Sequence, residues 1–491
     1  MSANALSIVV VGGSGDLARR KIYPALFALY CQGYLPAEFQ VFGFARREFT
    51  AEAFRQSVAE RLTCRYVPGE ACAERMAEFV ARCHYCRGQY DARDSFLDLY
   101  QRMRALERSP EASRLFYMAI PPSVFLDVAR AMAGAGLVNC GAGEPWSRVV
   151  VEKPFGYDRP SSDRLTRELA QVFDEDQTYR IDHYLGKELI QNLMVLRFAN
   201  RVFEPLWSRE HIQAVHIDWK ETDGVGARGG YFDASGIIRD VVQNHLTQVL
   251  ALVAMERPAD GQATAIRNEK IRVLRAVKPL RLERLILGQY RSTARDDIRL
   301  PAYTEEPSVP PDSRTPTYAA AFLQIDNDRW RGVPFLITAG KAMDASLSEV
   351  RIHFRDQTAG IFSTDSGRLA ANQLVIRIQP DEDLYLQIVN KEPGLAMKLV
   401  ETRLDLRYKS VFAQPIPDAY ECLLLDVIRG DRSLFISADE LAASWDLYTP
   451  VLHRIDSERT IPEPYDSGSA GPAHAAARLD SWMSGTHVSD A

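Results

Sequence analysis

Short apolar runs alternating with helical repeats dominate the first third of the chain. Ser7 to Val11, Gln40 to Phe44, Leu115 to Ile120 and Val149 to Val151 are too short for helices and read as strands buried on both faces. Between the first two, Ile22, Leu26 and Leu29 recur at helical spacing. Strands of this kind alternating with helices predict a doubly wound parallel sheet. Past about Asp182 the pattern changes. Gln213 to Trp219, Glu349 to Phe354, Gln373 to Ile378 and Leu384 to Ile388 read as strands without helices regularly between them, which predicts a large, mostly antiparallel sheet. The expected fold class is therefore an α/β N-terminal domain over residues 1–182 followed by an α+β domain over residues 183–491. The segment from Glu305 to Thr317, rich in Pro and Ser, reads as a surface excursion, and Ser457 to Pro472 as a tail lying over the second domain.

Composition narrows the function classes. At 491 residues the chain exceeds the size at which a single core stops growing. A net charge of −6 argues against a nucleic-acid partner. No apolar stretch approaches the ~20 residues of a membrane span, and Ala5 to Val11 is too short and lacks the basic flank of a signal peptide. A cytoplasmic location is expected. Seven cysteines, an odd number with irregular spacing, point to reduced thiols. Cys83-His84-Tyr85-Cys86 has metal-like spacing but no second pair, so no metal site is expected.

Four motifs carry candidate chemistry. The first strand runs into Gly12, Gly13, Ser14, Gly15, Asp16, Leu17 and Ala18, with Arg19 beside them. Gly12 permits a tight turn, Gly15 lets the backbone approach a pyrophosphate, and Ala18 lets the next helix pack closely, as in a Rossmann-like dinucleotide fold. The second strand ends in Arg46 and Arg47, where an NAD-binding fold would carry Asp or Glu. A guanidinium there suits a 2′-phosphate, so NADP is expected as cofactor. Val149 to Gly156 delivers Glu152 and Lys153 to a strand end stopped by Pro154.

Arg180-Ile-Asp-His-Tyr-Leu-Gly-Lys-Glu188 leads into an apolar helical pattern. If the helix begins by Asp182, His183 and Lys187 share a face that suits an anion, with the Tyr184 hydroxyl close by. The fourth motif, Gly236 to Leu250, predicts a helix with the stripe Val242, Leu246, Val249, Leu250 and Val253. His245 falls on or beside that stripe, with Asp240 and Asn244 as polar company.

These segments, in this order, closely resemble the glucose-6-phosphate dehydrogenase family. Gly340-Lys341-Ala342-Met343, Asn372 to Pro380, Pro417-Asp-Ala-Tyr-Glu421 and Tyr465 to Pro472 extend the likeness over nearly the whole chain. The resemblance implies oxidation of β-D-glucose 6-phosphate at C1 to 6-phosphogluconolactone with hydride transfer to NADP, the first step of the oxidative pentose phosphate pathway. It makes His245 the general base and Asp182 the carboxylate that orients it. His183, Tyr184 and Lys187 would hold the phosphate; Glu221 and Asp240 the sugar hydroxyls, with Lys341 and Gln379 completing the pocket. Lys153 would stand between sugar and nicotinamide, with Gly12 to Arg19 and Arg46 on the cofactor. Ser346 departs from the family pattern, which carries a second basic residue there in many members. The family's large sheet implies a homodimer or homotetramer. Two alternatives stay open: an NADP-dependent oxidoreductase of another sugar, and a non-catalytic NADP-binding regulator.

Overall fold

The computed structural model describes residues 5–107, 111–139, 141, 143–295, 298–355 and 371–484. The chain forms two compact parts. The first comprises the residues up to Lys187 together with Asp260–Arg267 and Pro415–Ala442; the second holds Glu188–Ala259, Asn268–Gln414 and the residues from Ala443 onward. The single boundary expected between 182 and 183 therefore does not describe the division: two later segments return to the first part.

In the first part, β1 (Leu6–Val11), β2 (Phe39–Ala45), β3 (Cys83–Arg87), β4 (Ser113–Met118), β5 (Ser147–Val151) and β6 (Thr178–Arg180) form one sheet in the order β3-β2-β1-β4-β5-β6. Every pair is parallel. All six residues of β1 are buried, the signature of a central strand covered on both faces. The order reverses between β1 and β4, so the crevice above their C-terminal ends is where such folds bind ligands. The expected Rossmann-like domain is present.

The second part is built on a nine-stranded sheet. Its strands are β7 (Ile212–Lys220), β8 (Leu285–Arg291), β11 (Tyr318–Gln324), β12 (Pro334–Gly340), β13 (Leu347–Phe354), β14 (Gln373–Gln379), β15 (Asp383–Lys391), β16 (Leu399–Arg407) and β17 (Glu463–Asp466). A two-stranded ribbon, β9 (Thr293–Arg295) with β10 (Ile298–Leu300), lies outside it. The order is β16-β15-β14-β13-β7-β12-β11-β8-β17, antiparallel except for β12 with β7 and β17 with β8. The segment expected as a covering tail thus supplies an edge strand, because Tyr465 is buried and its hydroxyl bonds the Lys341 carbonyl at 2.6 Å. The helix Ala475–Ser484 lies across β7, β11 and β12, with Trp482 against Phe322. Among the described residues no helix is long and apolar enough to cross a membrane.

The cysteines depart from expectation. Cys64 and Cys72 form a disulfide, with Cα atoms 5.9 Å apart, a separation within the bridging range. An odd total count does not prevent one pair from closing a short local loop. Cys83 and Cys86 sit on β3, and residues three apart on a strand face opposite sides of the sheet, so they do not converge as ligands.

Candidate active site

The parallel sheet collects the first set of candidate residues at one edge. Gly12 follows β1 with φ +87, and a Cβ there would lie 2.1 Å from the Ala119 carbonyl oxygen. Gly13 is as restricted: a Cβ would meet Gly43 Cα at 2.6 Å and Tyr23 Oη at 2.7 Å, while Tyr23 donates to the Gly13 carbonyl at 2.8 Å. The turn closes through Gly15 N–H to the Gly12 carbonyl at 2.8 Å. Ser14 and Leu17 are half-buried, Ala18 is buried and Asp16 is exposed between Arg19 at 3.5 Å and Arg20 at 3.1 Å. Ala18–Ile22 forms a π-helical turn before the helix Tyr23–Cys31. The cradle fits a dinucleotide, since the tight turn stands at the C-terminal end of β1, where the strand order reverses, and the buried Nε of Arg19 has no hydrogen-bond partner among the described residues.

Arg46 follows β2 and is exposed, its guanidinium 5.1 Å from the centre of the Tyr90 ring. Stacking on that face restrains an otherwise mobile cation. Glu48, the nearest following carboxylate, pairs with Arg87 at 3.5 Å. Tyr90 carried no motif, so only the contact reveals it.

Lys153 stands just past β5, half-buried, beside Glu152. The Glu152 carboxyl accepts from Tyr117 Oη at 2.6 Å and from Tyr420 Oη at 3.2 Å. Burial pushes it up to about 7, against the downward pull of the two phenols and of Lys153.

After β6 the structure corrects the expected helix start. Residues 183–186 form a turn and the helix Glu188–Ala199 begins only afterwards. Buried Asp182 accepts the Tyr184 N–H through Oδ1 at 2.9 Å, and its carbonyl accepts the Leu185 N–H at 3.0 Å. An Asp side chain bonding two residues on favours a turn over a helix. His183 and Lys187 therefore share no helix face; they meet at Tyr184 instead. Lys187 Nζ lies 4.0 Å from the centre of the Tyr184 ring, and His183 stands edge-on to it with centroids 5.2 Å apart. Tyr420, brought in by the returning segment, stacks on His183 at 6.4 Å and an interplanar angle of 9°.

In the second part, parallel pairing of β7 and β12 places Lys220 opposite Gly340, so the next residues, Glu221 and Lys341, emerge side by side. Lys341 Nζ lies 2.7 Å from Glu221 Oε2. Trp219 and Phe232 flank the ammonium at 5.1 and 5.5 Å. Ser346, the departure from the family pattern, hydrogen-bonds the Thr222 N–H at 3.1 Å and the Thr222 hydroxyl at 3.0 Å. It supplies no charge and instead ties down the loop beside Glu221. Gln379 ends β14, exposed, opposite Ser348, which pairs on its other side with Trp219.

Asp240 and His245 lie on Ile238–Leu246, which is π-helical and not the α-helix expected. A π-helix is bonded i to i+5 and wound wider than an α-helix, so residues five apart such as Asp240 and His245 lie closer in angle around the axis than α periodicity would put them. Side chains reinforce the wide turn: Asn244 Nδ2 donates to the Arg239 carbonyl at 3.1 Å, and the Thr247 hydroxyl to that of Val242 at 2.6 Å. His245 is buried, and its N–H donates to Asn244 Oδ1 at 2.6 Å. The following helix, Thr247–Ala254, ends with its orphan carbonyls capped by Arg197, Trp207 and Trp330, which anchors the element from behind.

Comparison with known proteins gives this geometry a family. Residues 9–192 match the model of the glucose-6-phosphate dehydrogenase NAD binding domain, and residues 194–483 that of its C-terminal domain. A chloroplastic glucose-6-phosphate 1-dehydrogenase of Nicotiana tabacum is 50% identical over 473 residues, covering 96% of this chain and 79% of the relative. A cytoplasmic one of Arabidopsis thaliana is 46% identical, over 96% and 90%. Among solved structures, a glucose-6-phosphate dehydrogenase in complex with its substrate glucose-6-phosphate superposes with a TM-score of 0.89 at 39% identity, covering 99% of both chains. The enzyme from Mycobacterium avium gives 0.81 at 34%, over 97% of this chain and 96% of that one. With family models spanning both halves and relatives this similar along almost its whole length, the chain belongs to the glucose-6-phosphate dehydrogenase family.

Proposed function

We propose that this protein is a glucose-6-phosphate 1-dehydrogenase that oxidises β-D-glucose 6-phosphate at C1 to 6-phosphogluconolactone. NADP, when bound, supplies the hydride acceptor; Gly12 to Arg19 would hold its pyrophosphate and Arg46 its 2′-phosphate. The observation that carries the reading is the turn at residues 183–187, where an imidazole and an ammonium converge on one phenol ring. Such a cluster of donors suits a phosphate dianion, each charged hydrogen bond contributing about 1.5–3 kcal/mol.

In this reading His245 takes the O1 proton as the carbonyl develops, a general-base role that side-chain imidazoles fill most often. Asp182 steadies the imidazolium so formed. Glu221 and Asp240 orient the sugar hydroxyls, Lys341 and Gln379 complete the pocket, and Lys153 holds the sugar against the cofactor. We place the protein in the cytoplasm, as for the relatives named cytoplasmic, and assign it a homodimer or homotetramer built on the open face of the nine-stranded sheet.

The test is an assay of NADPH formation with glucose 6-phosphate and with glucose. His245→Asn should lower kcat by about 10² to 10⁴ with little change in KM, and free glucose should be a poor substrate. Comparable efficiency on the two sugars would remove the phosphate assignment and favour the oxidoreductase of another sugar. Absence of NADPH formation with every hexose phosphate would favour a non-catalytic regulator.

A further inference from the structure

Glu152 reaches the same strand end as Lys153, yet the reading above gives it no task. Its surroundings are specific. Tyr117, fully buried on β4, and Tyr420, at the start of the helix Ala419–Arg429, both donate to the same oxygen, Oε1. The helix start is itself pinned. Asp418 caps it by accepting the Tyr420 N–H at 3.0 Å and pairs with Lys21 at 2.9 Å, while Arg65 and Tyr66 bond Glu421 at 2.8 and 2.6 Å. The Tyr420 ring that bonds Glu152 is also the ring stacked on His183. One carboxyl thus links the loop that carries Lys153 to the ring beneath the proposed phosphate donor.

We propose that Glu152 is a positioning residue for the reaction: as a carboxylate clamped by Tyr117 and Tyr420 it holds Lys153 and, through Tyr420, His183 in their working places, and it holds them most firmly while ionised. The inference rests on the functional reading above. The groups facing the carboxyl are Tyr117 from β4, Tyr420 from the returning helix, Lys153 on its own loop and Asp182 after β6. An ionised carboxylate accepts both phenol protons and balances the adjacent ammonium. Protonation on the other oxygen, Oε2, leaves Oε1 a neutral acceptor: both clamp bonds lose their charge assistance and weaken, and the negative charge beside Lys153 disappears. Because burial holds this carboxyl at about 7, the change falls within the range in which the enzyme would be assayed.

The experiment is the pH dependence of kcat and kcat/KM for glucose 6-phosphate, from about pH 5.5 to 9, on the full-length protein, Glu152→Gln, Glu152→Asp and Tyr117→Phe. In the parent protein the acid limb of kcat/KM should need two ionisations, one from an imidazole and one from Glu152. Glu152→Gln should leave a limb of one ionisation and raise KM about tenfold, the effect of one lost charged hydrogen bond, with Glu152→Asp recovering part of the loss. Tyr117→Phe removes a donor that favours the carboxylate and should move the limb to higher pH, a shift that a merely structural role would not produce. An unchanged limb in Tyr117→Phe would overturn the proposal even if Glu152→Gln failed to fold. If the parent protein did not oxidise glucose 6-phosphate, the underlying reading would fail instead, and the two failures are told apart by that first measurement.

Discussion

Lys341 and Glu221 form an ion pair at 2.7 Å in which the ammonium is 4% exposed and the carboxylate 40%. The lysine is thus committed to a place it occupies comfortably only with a negative partner, while the half-open carboxylate remains able to receive a sugar hydroxyl. Glu221→Gln keeps the shape and removes the charge. We expect KM for glucose 6-phosphate to rise tenfold or more and stability to fall by about 1–3 kcal/mol. Steady-state kinetics and denaturant titration read the two effects separately, and an unaltered KM would show that the pair is only structural.

Arg46 stacked on Tyr90 leads to a selectivity prediction. Arg46→Ala should raise KM for NADP by about tenfold to a hundredfold, one or two charged hydrogen bonds, and leave KM for NAD nearly unchanged. Tyr90→Leu should act in the same direction but more weakly, because it frees the guanidinium without removing it. Equal effects of Arg46→Ala on both nucleotides would show that this residue does not read the 2′-phosphate.

Two histidines of the nine-stranded sheet make stability depend on pH. Burial, with the nearby Arg351 charge, lowers His216 to about 4, and burial with His216 and Arg351 lowers His353 to about 4. Unfolded histidine titrates near 6.5, so between about pH 6.5 and 4 the unfolded chain binds protons that the folded chain refuses, and stability falls as pH falls. Asp218, raised to about 6 by burial, works the other way in the same window, since the folded state keeps a proton that the unfolded state has released. The double variant His216→Asn, His353→Asn should lose less stability between pH 7 and 4.5 than the parent, by on the order of 2–3 kcal/mol per ring, and its melting temperature should fall correspondingly less. A melting profile as steep as the parent's would assign the acid lability elsewhere.

The Cys64–Cys72 disulfide closes a short loop that also presents Arg65 and Tyr66 to Glu421. Loop-closure entropy for a ring of this size corresponds to roughly 2–3 kcal/mol. Cys64→Ser, or the parent protein under strong reductant, should show a lower denaturant midpoint. Seven alkylatable thiols in the unfolded, unreduced protein would refute the bond.

Local chemistry made much of the first part legible in advance. β1 is apolar throughout and leads into glycines whose positive φ and close approaches exclude a side chain, and these constraints act within a few residues of one another. The same locality misled at two points. The segment after β6 has the apolar spacing of a helix, yet the Asp182 side chain bonds the Tyr184 N–H and delays the helix to Glu188. Around His245, α periodicity was the natural reading, and bonds from Asn244 and Thr247 five residues back accompany a π-helix.

The sequence by itself determined the parallel sheet, its glycine turn, the basic end of β2 and the identity of the chemistry-bearing motifs, because sterics, side-chain period and charge are properties of neighbouring residues. Only the tertiary structure decided that Tyr420 would return to Glu152 and His183, that parallel pairing of β7 and β12 would set Glu221 beside Lys341, that Tyr90 would support Arg46 and that Cys64 would find Cys72. Most of these contacts join residues far apart in the chain, and the free energy that selects them comes from burying the whole core at once, a sum that no local window contains.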